Sequence, residues 1–357
     1  MNILYGVCGE GYGHSSHAIS IVKHLESKGH KVKIITYGQA YEILKDRFDV
    51  VEVSGLSAVY ENGRIRYRKT VAHNFFNLSR DIFALKKINK IVREFKPDIC
   101  ISDMEFLVPV IAFLKKLPLI SLSNQNILTC SQVDFPKKYY KDYILAKIVI
   151  KLIVPFSGHK VILSFCDIEK VNKKESTTVV SPIIREEIRK LKFNHNGKIV
   201  VYLSRDNSAL INELKKINEK FIIYGYDINK IDGNLVFKKR EHFLEDFRKC
   251  KAFISTSGFT SIGEAIYLKK PYLAVPLKRQ FEQIYNAIIL DKIGLGKFLE
   301  NPSKEQIIDF IKNIEKYRKN FASYKPAVLM GWNNTEDNDY PHNVYSVLDK
   351  LIADLKK

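Results

Sequence analysis

The sequence predicts an α/β protein with two successive doubly wound units, each built on a parallel sheet. Short apolar strands alternate with helical apolar spacing over residues 3–180, and the same alternation restarts over residues 198–290. The chain has 357 residues, which is enough for two cores of ordinary size. A turn rich in small residues follows the first strand of one half and a late strand of the other, where open α/β sheets bind ligands.

The first half begins as a β-α-β unit. Residues 3–7 predict a strand, the spacing of Ala18, Ile21, Val22 and Leu25 predicts a helix, and residues 31–36 predict a second strand. A β-α-β start favours a parallel sheet with right-handed crossovers. Further strands are expected at residues 49–53, 99–102, 118–122, 160–164 and 178–180, with helices at residues 83–95 and 107–115.

The second half starts after a connecting segment at residues 181–197. Strands are expected at residues 198–203, 220–224, 235–237, 252–255 and 272–275, and helices at residues 208–219, 242–249, from 261, 281–290 and 344–355. We therefore expect a first domain at residues 1–182 and a second at residues 183–335. Residues 336–357 are expected to cross back to the first domain as a helix.

Composition limits the class of protein. The formal net charge of +19 favours acidic partners such as nucleic acid, anionic membrane or phosphorylated small molecules. The 5 cysteines are scattered, so free thiols in a reducing cytoplasm are expected and a zinc site is not. The chain enters a strand directly, which predicts no signal peptide. Lys147 and Lys151 interrupt the most apolar stretch, residues 143–156, so it cannot span a bilayer.

The stretch GEGYGHSSH, residues 9–17, fails the test for a dinucleotide loop. Such a loop needs G-x-G-x-x-G and an acidic residue at the end of the second strand. His14 stands at the third glycine position, and the second strand ends in Thr36-Tyr37-Gly38 without an acid. The loop still allows close approach of a ligand, with His14 at the start of the next helix. The alternative is a tight turn with a solvated histidine.

The most informative stretch is residues 254–287, where a strand ends in a Ser/Gly/Thr turn that opens a helix. The free N–H groups of such a turn, supported by the helix dipole, favour a diphosphate. Glu264 lies about one to two turns into the helix, within reach of ribose hydroxyls. Gln280, Glu282 and Gln283 follow the next strand at the same sheet edge. The alternative is a capped helix with a structural glutamate.

This stretch resembles the nucleotide-sugar signature of GT-B glycosyltransferases, notably UDP-glycosyltransferases and the GlcNAc transferase that completes lipid II. That signature runs S/G-G-x-x-T/S-x-x-E-A, then a proline before the next strand, V-P, and a glutamine shortly before N-A. The matching residues are Ser257-Gly258, Ser261, Glu264-Ala265, Pro271, Val275-Pro276, Gln283 and Asn286-Ala287. The loop ending in Gly13-His14 and the segment at residues 97–103 are also similar. The whole chain most resembles a largely archaeal and bacterial, uncharacterised branch of this superfamily.

The resemblance implies a GT-B fold of two Rossmann-like domains facing across a cleft, with the acceptor on the first domain and the donor on the second. It implies transfer of a hexose or N-acetylhexosamine from an NDP-sugar, in the first instance a UDP-sugar, to an acceptor hydroxyl, with inversion, without metal and without a resident cofactor. The nucleobase would lie near residues 238–243. The implied donor residues are Ser204, Arg205, Ser257, Gly258, Phe259, Thr260, Glu264, Gln280 and Gln283.

For catalysis, the resemblance implies His14 as general base, oriented by Asp103. The alternative is that His14 only contacts an acceptor phosphate, as in lipid-II-type relatives, and that Asp103 caps a helix. The remaining acceptor residues are Gly11, Gly13, His17 and Glu105, of which His17 and Glu105 are second-choice bases.

A membrane surface is the third expected partner. Residues 137–174 mix tyrosines, an apolar run and lysines, and residues 63–96 add a second basic region. This mixture suits docking on the cytoplasmic face of an anionic membrane and a lipid-linked acceptor. A core helix with snorkelling lysines would give the same pattern.

Two other functions stay open. A non-hydrolysing NDP-sugar 2-epimerase would use the same fold without an acceptor. A non-catalytic nucleic-acid binder is suggested only by charge, and no RNA-binding motif supports it, so we expect no nucleic-acid partner.

Overall fold

Two compact units make up the protein. A computed structural model describes residues 1–57, 59–61, 64–76, 78–156, 158–171, 176–330 and 342–355. The first unit comprises Met1–Val59, Arg66–Ile183 and Pro326–Lys357, and the second comprises Tyr60–Ile65 and Ile184–Lys325. Within the described residues, each unit contains one seven-stranded sheet. The predicted architecture of two parallel-sheet α/β units is therefore confirmed.

The strands of the described residues are short, and most lie within two residues of their predicted positions. In chain order they are β1 (Asn2–Val7), β2 (Lys31–Thr36), β3 (Val50–Glu52), β4 (Tyr60–Glu61), β5 (Arg64–Ile65), β6 (Ile99–Asp103), β7 (Leu119–Ser123), β8 (His159–Leu163), β9 (Thr177–Val180), β10 (Ile199–Tyr202), β11 (Phe221–Tyr224), β12 (Lys230–Asp232), β13 (Leu235–Phe237), β14 (Ala252–Ser255), β15 (Tyr272–Ala274) and β16 (Gly296–Phe298).

The helices of the described residues fill the connections. In chain order they are α1 (Tyr12–Ser27), α2 (Gly38–Leu44), α3 (Tyr67–Phe76), α4 (Leu78–Phe95), α5 (Leu107–Lys115), α6 (Ile127–Cys130), α7 (Tyr140–Ile153), α8 (Glu186–Arg189), α9 (Ser208–Lys215), α10 (Phe243–Lys249), α11 (Phe259–Tyr267), α12 (Phe281–Lys292), α13 (Lys304–Lys312), α14 (Ile314–Ser323) and α15 (Val344–Asp354).

The first sheet reverses its strand order at β1. Its order is β3-β2-β1-β6-β7-β8-β9, and neighbouring strands are parallel. The chain moves outward from β1 to β2 and β3, then returns to place β6 on the other side of β1. The register sets Val7, the last residue of β1, opposite Asp103, the last residue of β6. Open α/β sheets bind ligands at such a switch point.

The second sheet has its switch point between β10 and β14. Its order is β12-β13-β11-β10-β14-β15-β16, and Tyr202 of β10 lies opposite Ser255 of β14. Every pair is parallel except β12, which runs antiparallel to β13 at the edge. The sequence did not predict β12, because its residues, Lys230–Asp232, have a single apolar side chain between two charged ones.

Apolar helix faces cover each sheet. In the first unit α5 packs against β1, β6 and α4, around buried Leu4, Val108 and Ile111. In the second unit α9 packs with α13, and the core includes buried Leu214 and Phe310. Close packing of this kind holds the carboxyl ends of the strands in fixed places.

The C-terminal segment belongs to the first unit from Pro326 onward. The carboxylate of Asp167 accepts hydrogen bonds from the backbone N–H groups of Ala327 (2.9 Å) and Val328 (2.8 Å). The chain thus returns to the first unit earlier than residue 335, the predicted boundary. Residues 331–341 lie outside the described residues.

Helix α15 is joined to α1 by a side-chain pair. Nε2 of His24 lies 2.8 Å from Oδ1 of Asp349, and the His24 ring packs against Tyr345 with centroids 4.8 Å apart. The buried side chains of α15 include Val344, Leu348 and Ile352, as the predicted amphipathic spacing requires. The last helix therefore supports the helix that carries His14.

Lys270 is a fully buried lysine that precedes β15. Its Nζ donates hydrogen bonds to the carbonyls of Arg248 (2.8 Å), Cys250 (2.9 Å) and Asn194. Burial is the main reason why the pKa of Lys270 is lowered, to about 8. Lys270, which precedes Pro271 of the signature, thus has a structural role, since it joins the backbone at Asn194 to the backbone at residues 248–250.

Candidate functional site

The glycine loop and β6 bring His14 and Asp103 together at the switch point of the first sheet. Nδ1 of His14 lies 2.8 Å from Oδ1 of Asp103, although 89 residues separate them in sequence. The Asp103 side chain is 1% exposed, whereas that of His14 is 17% exposed. Just below, the Cys8 N–H donates to the Asp103 carbonyl at 2.9 Å. The imidazole is therefore anchored through Nδ1 to a buried carboxylate and is itself partly exposed.

Asp103 is held in its ionised form. Burial by itself would raise the pKa of Asp103, but the charge and hydrogen bond of His14, with a contribution from His17, keep that pKa below its usual value. An ionised carboxylate can only accept, so it favours the tautomer with the proton on Nδ1 of His14. The Nε2 lone pair is then available to take a proton.

The two second-choice bases are both buried. His17 is 3% exposed, with Nδ1 3.8 Å from Oδ2 of Asp103. Glu105 is 1% exposed, and its carboxylate accepts from the N–H groups of Leu107 (2.8 Å) and Val108 (2.7 Å) at the start of α5. The oxygens of Glu105 therefore cap a helix, and its part in acceptor binding stays a prediction.

Backbone geometry fixes the glycine loop. Gly11 precedes α1 with φ +79°, a left-handed conformation that suits glycine, and Gly13 lies in the first turn. A side chain on Gly9 would place its Cβ 2.3 Å from the ring of Tyr37. The Tyr37 hydroxyl in turn donates to the Leu56 carbonyl at 2.6 Å. The loop can therefore hold His14 in one place.

A buried polar segment beside Asp103 was missed by sequence reasoning. Asn124, Gln125 and Asn126 follow β7, the neighbour of β6, and all three are buried. The Asn126 amide donates to the carbonyls of Ser121 (3.1 Å) and Val161 (3.3 Å), which fixes the turn. The signal was available, because three amides directly follow an apolar strand.

The predicted donor residues of the second unit gather at the carboxyl ends of β10, β14 and β15. Oγ of Ser204, after β10, lies 3.1 Å from Oγ1 of Thr256, after β14. Helix α11 begins at Phe259 with Gly258 as its N-cap, and no side chain of the described residues caps it. The first N–H groups of a helix have no partner within the helix itself, and together with the helix dipole they favour an anion. Of the remaining predicted donor residues nearby, Arg205 is exposed and Thr260 half-buried.

Ser257 has an unusual backbone. Its φ is +63°, in the left-handed region that non-glycine residues rarely adopt, and it is fully buried. Its Oγ has no hydrogen-bond partner among the described residues. The side-chain amide of Asn286, from α12, donates to the Ser257 carbonyl at 3.2 Å.

The two glutamines of the predicted sugar site differ in their surroundings. Oε1 of Gln283 accepts from the N–H of Leu277 at 2.9 Å, so part of this buried side chain positions the turn after β15. Gln280 is the N-cap of α12, and its Oε1 is buried without a hydrogen-bond partner in the described part of the chain. An orphaned buried acceptor is uncommon and marks a place for a ligand or water.

Glu264 is 3% exposed and is paired with Arg185, which sequence reasoning missed. Nε of Arg185 donates to Oε1 at 2.5 Å, and Nη2 donates to Oε2 at 2.8 Å. Two carboxylate oxygens offer about four lone-pair sites, so the pair leaves room for ribose hydroxyls. Arg185 stands in the connecting segment, outside the recognised signature, and nothing local in the sequence marked it.

Acidic residues give no metal site in the described residues. No group of three or more His, Cys, Asp and Glu side chains there could hold a metal ion. Asp337 and Asp339, two acids separated by one residue, lie within residues 331–341, which are outside the described residues.

Comparison with known proteins gives full-length matches. The family model for glycosyl transferase family 1 matches residues 1–315. An uncharacterized glycosyltransferase of Methanosarcina acetivorans is 25% identical over 386 residues, covering 99% of each chain. A UDP-N-acetylglucosamine–N-acetylmuramyl-(pentapeptide) pyrophosphoryl-undecaprenol N-acetylglucosamine transferase of Clostridium tetani is 27% identical over 357 residues, covering 88% of this chain and 92% of that protein. The solved structure of the glycotransferase of kitacinnamycin superposes with a TM-score of 0.64 at 12% identity, covering 99% of this chain and 98% of that one.

Proposed function

The chain belongs to glycosyl transferase family 1, and from this premise we propose that it transfers a hexose or N-acetylhexosamine from a UDP-sugar to an acceptor hydroxyl, with inversion. The resemblance stated from the sequence, a GT-B glycosyltransferase, is confirmed by the family match and the shared fold. The observation that carries the proposal is the 2.8 Å contact between His14 and buried Asp103 at the switch point of the first sheet.

In the proposed reaction His14 is the general base. Its Nε2 takes the proton of the acceptor hydroxyl while that oxygen attacks the anomeric carbon. The bond between the anomeric carbon and the diphosphate oxygen breaks, and the nucleoside diphosphate leaves with the bonding electrons. Attack from the face opposite the leaving group inverts the anomeric centre. Asp103 stabilises the resulting imidazolium.

The second unit would stabilise the leaving group. The N–H groups at the start of α11, with the hydroxyls of Ser257 and Thr260, would stabilise the charge that develops on the diphosphate. Glu264 would bind the ribose, and Gln280 and Gln283 the sugar. Because these groups supply the stabilisation, the proposed reaction needs no metal ion. Unchanged turnover in EDTA would support this, and loss restored by Mg²⁺ or Mn²⁺ would contradict it.

A thermal-shift panel of UDP-, GDP-, dTDP- and CMP-sugars tests donor binding. We expect the melting temperature to rise with one nucleotide class, UDP-sugars first. The control is Glu264→Gln, compared with its own unliganded melting temperature because Glu264 also pairs with Arg185. If no nucleotide sugar stabilises the wild type, the proposal fails. NMR of UDP-GlcNAc without acceptor separates the alternatives, since a 2-epimerase would convert it and a transferase would not.

We propose further that the acceptor is lipid-linked and that the first unit docks on an anionic membrane. The apolar side chains exposed on α7 are Leu145, Ile148, Val149 and Leu152. Phe113 and Phe156 stack with centroids 4.0 Å apart while 57% and 45% exposed. Exposed lysines accompany them: Lys115, Lys116, Lys141 and Lys151. Apolar and cationic groups together suit the headgroup region of anionic lipid.

The exposed side chains of α7 help to decide between a membrane-docking helix and the alternative of a core helix with snorkelling lysines. A core helix would bury its apolar face, whereas α7 leaves four apolar side chains exposed, which supports interfacial docking. Residues 157 and 172–174 of the predicted segment 137–174 lie outside the described residues. No helix in the described part of the chain is long and apolar enough to cross a bilayer.

A further inference from the structure

We propose that Asn286 is a positioning residue that holds Ser257 in its left-handed conformation and so shapes the diphosphate-binding turn. This inference rests on the proposed function, since it concerns the turn assigned to the donor. Asn286 belongs to the recognised signature, but neither the sequence nor the resemblance gave its side chain a role.

The first step is the strain at Ser257. A non-glycine residue with φ of +63° is strained relative to an ordinary conformation. Such a conformation persists only where its surroundings enforce it. Ser257 immediately precedes Gly258, the N-cap of α11, so its backbone decides where the first N–H groups of that helix point.

The second step is the bond that enforces this conformation. Asn286 is 6% exposed on α12, and its Nδ2 donates to the Ser257 carbonyl at 3.2 Å. Rotation of Ser257 to negative φ would swing this carbonyl away and leave a buried amide donor unpaired. The loss of this buried hydrogen bond would cost free energy and so opposes the relief of the strain.

The third step is that α12 holds both donor turns. Gln283 lies three residues before Asn286, so the two side chains share one helix face. Gln283 accepts from Leu277 in the turn after β15, and Asn286 donates to Ser257 in the turn after β14. One rigid helix therefore sets the spacing of the two turns.

Replacement of Asn286 tests the idea through rescue by glycine. We expect Asn286→Ala to weaken nucleoside diphosphate binding about tenfold, because Ser257 relaxes and the turn must be reordered on binding. Glycine adopts positive φ without strain. In the Ser257→Gly background, Asn286→Ala should therefore weaken binding much less. Comparison within each background cancels the effect of the lost Ser257 hydroxyl.

Isothermal titration calorimetry measures the affinity for UDP of the wild type, Asn286→Ala, Ser257→Gly and the double variant. If the wild type prefers another nucleotide in the thermal-shift panel, the corresponding nucleoside diphosphate is used instead. Asn320→Ala is the matched control, since its Nδ2 donates to the carbonyl of Gly294, which also has positive φ, before β16 at the other end of the sheet. Asn320→Ala should lower the melting temperature without changing nucleotide affinity.

An equal loss of affinity in both backgrounds, or no loss in either, would overturn the inference. If the wild type binds no nucleoside diphosphate, the proposed function fails, and the inference is judged by melting temperature alone. Asn286→Ala should then lower it less in the Ser257→Gly background than in the wild type. Equal lowering would contradict the role of Asn286.

Discussion

Arg185 binds the buried carboxylate of Glu264 through two hydrogen bonds, from Nε to Oε1 and from Nη2 to Oε2. Glu264, which is expected to bind the ribose, is therefore also one partner of an ion pair within the second unit. Arg185 is 23% exposed at its side chain, whereas Glu264 is 4% exposed. Removal of Arg185 should therefore change the free energy of unfolding by a different amount from removal of Glu264.

Arg185→Met should lower the free energy of unfolding by about 3 kcal/mol, because it leaves a carboxylate buried without its counter-charge. Glu264→Gln should lower it by only about 1 kcal/mol, because Arg185 can still reach water. Urea denaturation monitored by circular dichroism compares the two. A double variant whose loss equals the sum of the single losses would show that the two side chains do not interact.

His14→Ala should lower turnover roughly 10²–10⁴-fold, because no other base replaces the imidazole. Asp103→Asn should also lower turnover strongly, since an amide no longer selects the tautomer with Nε2 free. Donor affinity should not change, because the proposed donor residues belong to the second unit. Steady-state kinetics and titration with nucleoside diphosphate measure both quantities. A normal kcat with a raised acceptor KM in His14→Ala would instead identify His14 as an acceptor-phosphate ligand.

Lys270 predicts a pH-dependent contribution to stability. Its pKa in the folded protein is about 8, below the value of about 10.4 in an unfolded chain. Between these values the unfolded state binds more protons, so this contribution rises as the pH increases through the window and is lost as the pH falls through 8. The wild type should therefore gain stability relative to Lys270→Met from pH 8 to 10. Chemical denaturation of both proteins measures the difference, and a constant difference would contradict it.

The exposed apolar surface of the first unit should bind anionic vesicles. Flotation with phosphatidylglycerol vesicles should carry the wild type upward, and neutral phosphatidylcholine vesicles should carry less. Phe113→Ser/Leu152→Ser should abolish flotation. The matched control is Ile228→Ser/Ile231→Ser, which removes exposed apolar side chains from the second unit. No flotation of the wild type with either lipid would refute the membrane proposal.

Much of the fold could be predicted because the buried strands are short apolar segments with clear turns on either side. The pairing of His14 with Asp103 could be anticipated because consecutive strand ends meet at one sheet edge, and the resemblance named both residues. Strands β12 and β16 and helix α8 were missed because each is short and has only one apolar residue, so no apolar pattern marks it. Helix α3 was missed for another reason: its apolar spacing is weak.

The finer parts of the site depend on contacts that no local pattern records. Arg185 and Glu264 are 79 residues apart in sequence. From sequence alone, an arginine in a connecting segment is expected to be a solvent-exposed charge. The left-handed backbone of Ser257 is equally hidden, since serine is common in turns of every type. The bonds from the Glu105 carboxylate to the start of α5 were also not foreseen, because an acid that follows a strand has no local mark of helix capping.

The order of segments along the chain has a consequence for making hybrids. The sheet of the second unit is drawn from one uninterrupted stretch, Ile184–Lys325, while the first unit takes its pieces from both sides of it. A segment exchanged with a relative at crossover points near residues 184 and 325 would transfer all the proposed nucleotide-binding residues of that relative together. A single crossover near 184 would instead give α15 to the wrong parent, and Asp349 would no longer match His24. A hybrid of two relatives should therefore be made with two crossovers, one on each side of the second unit.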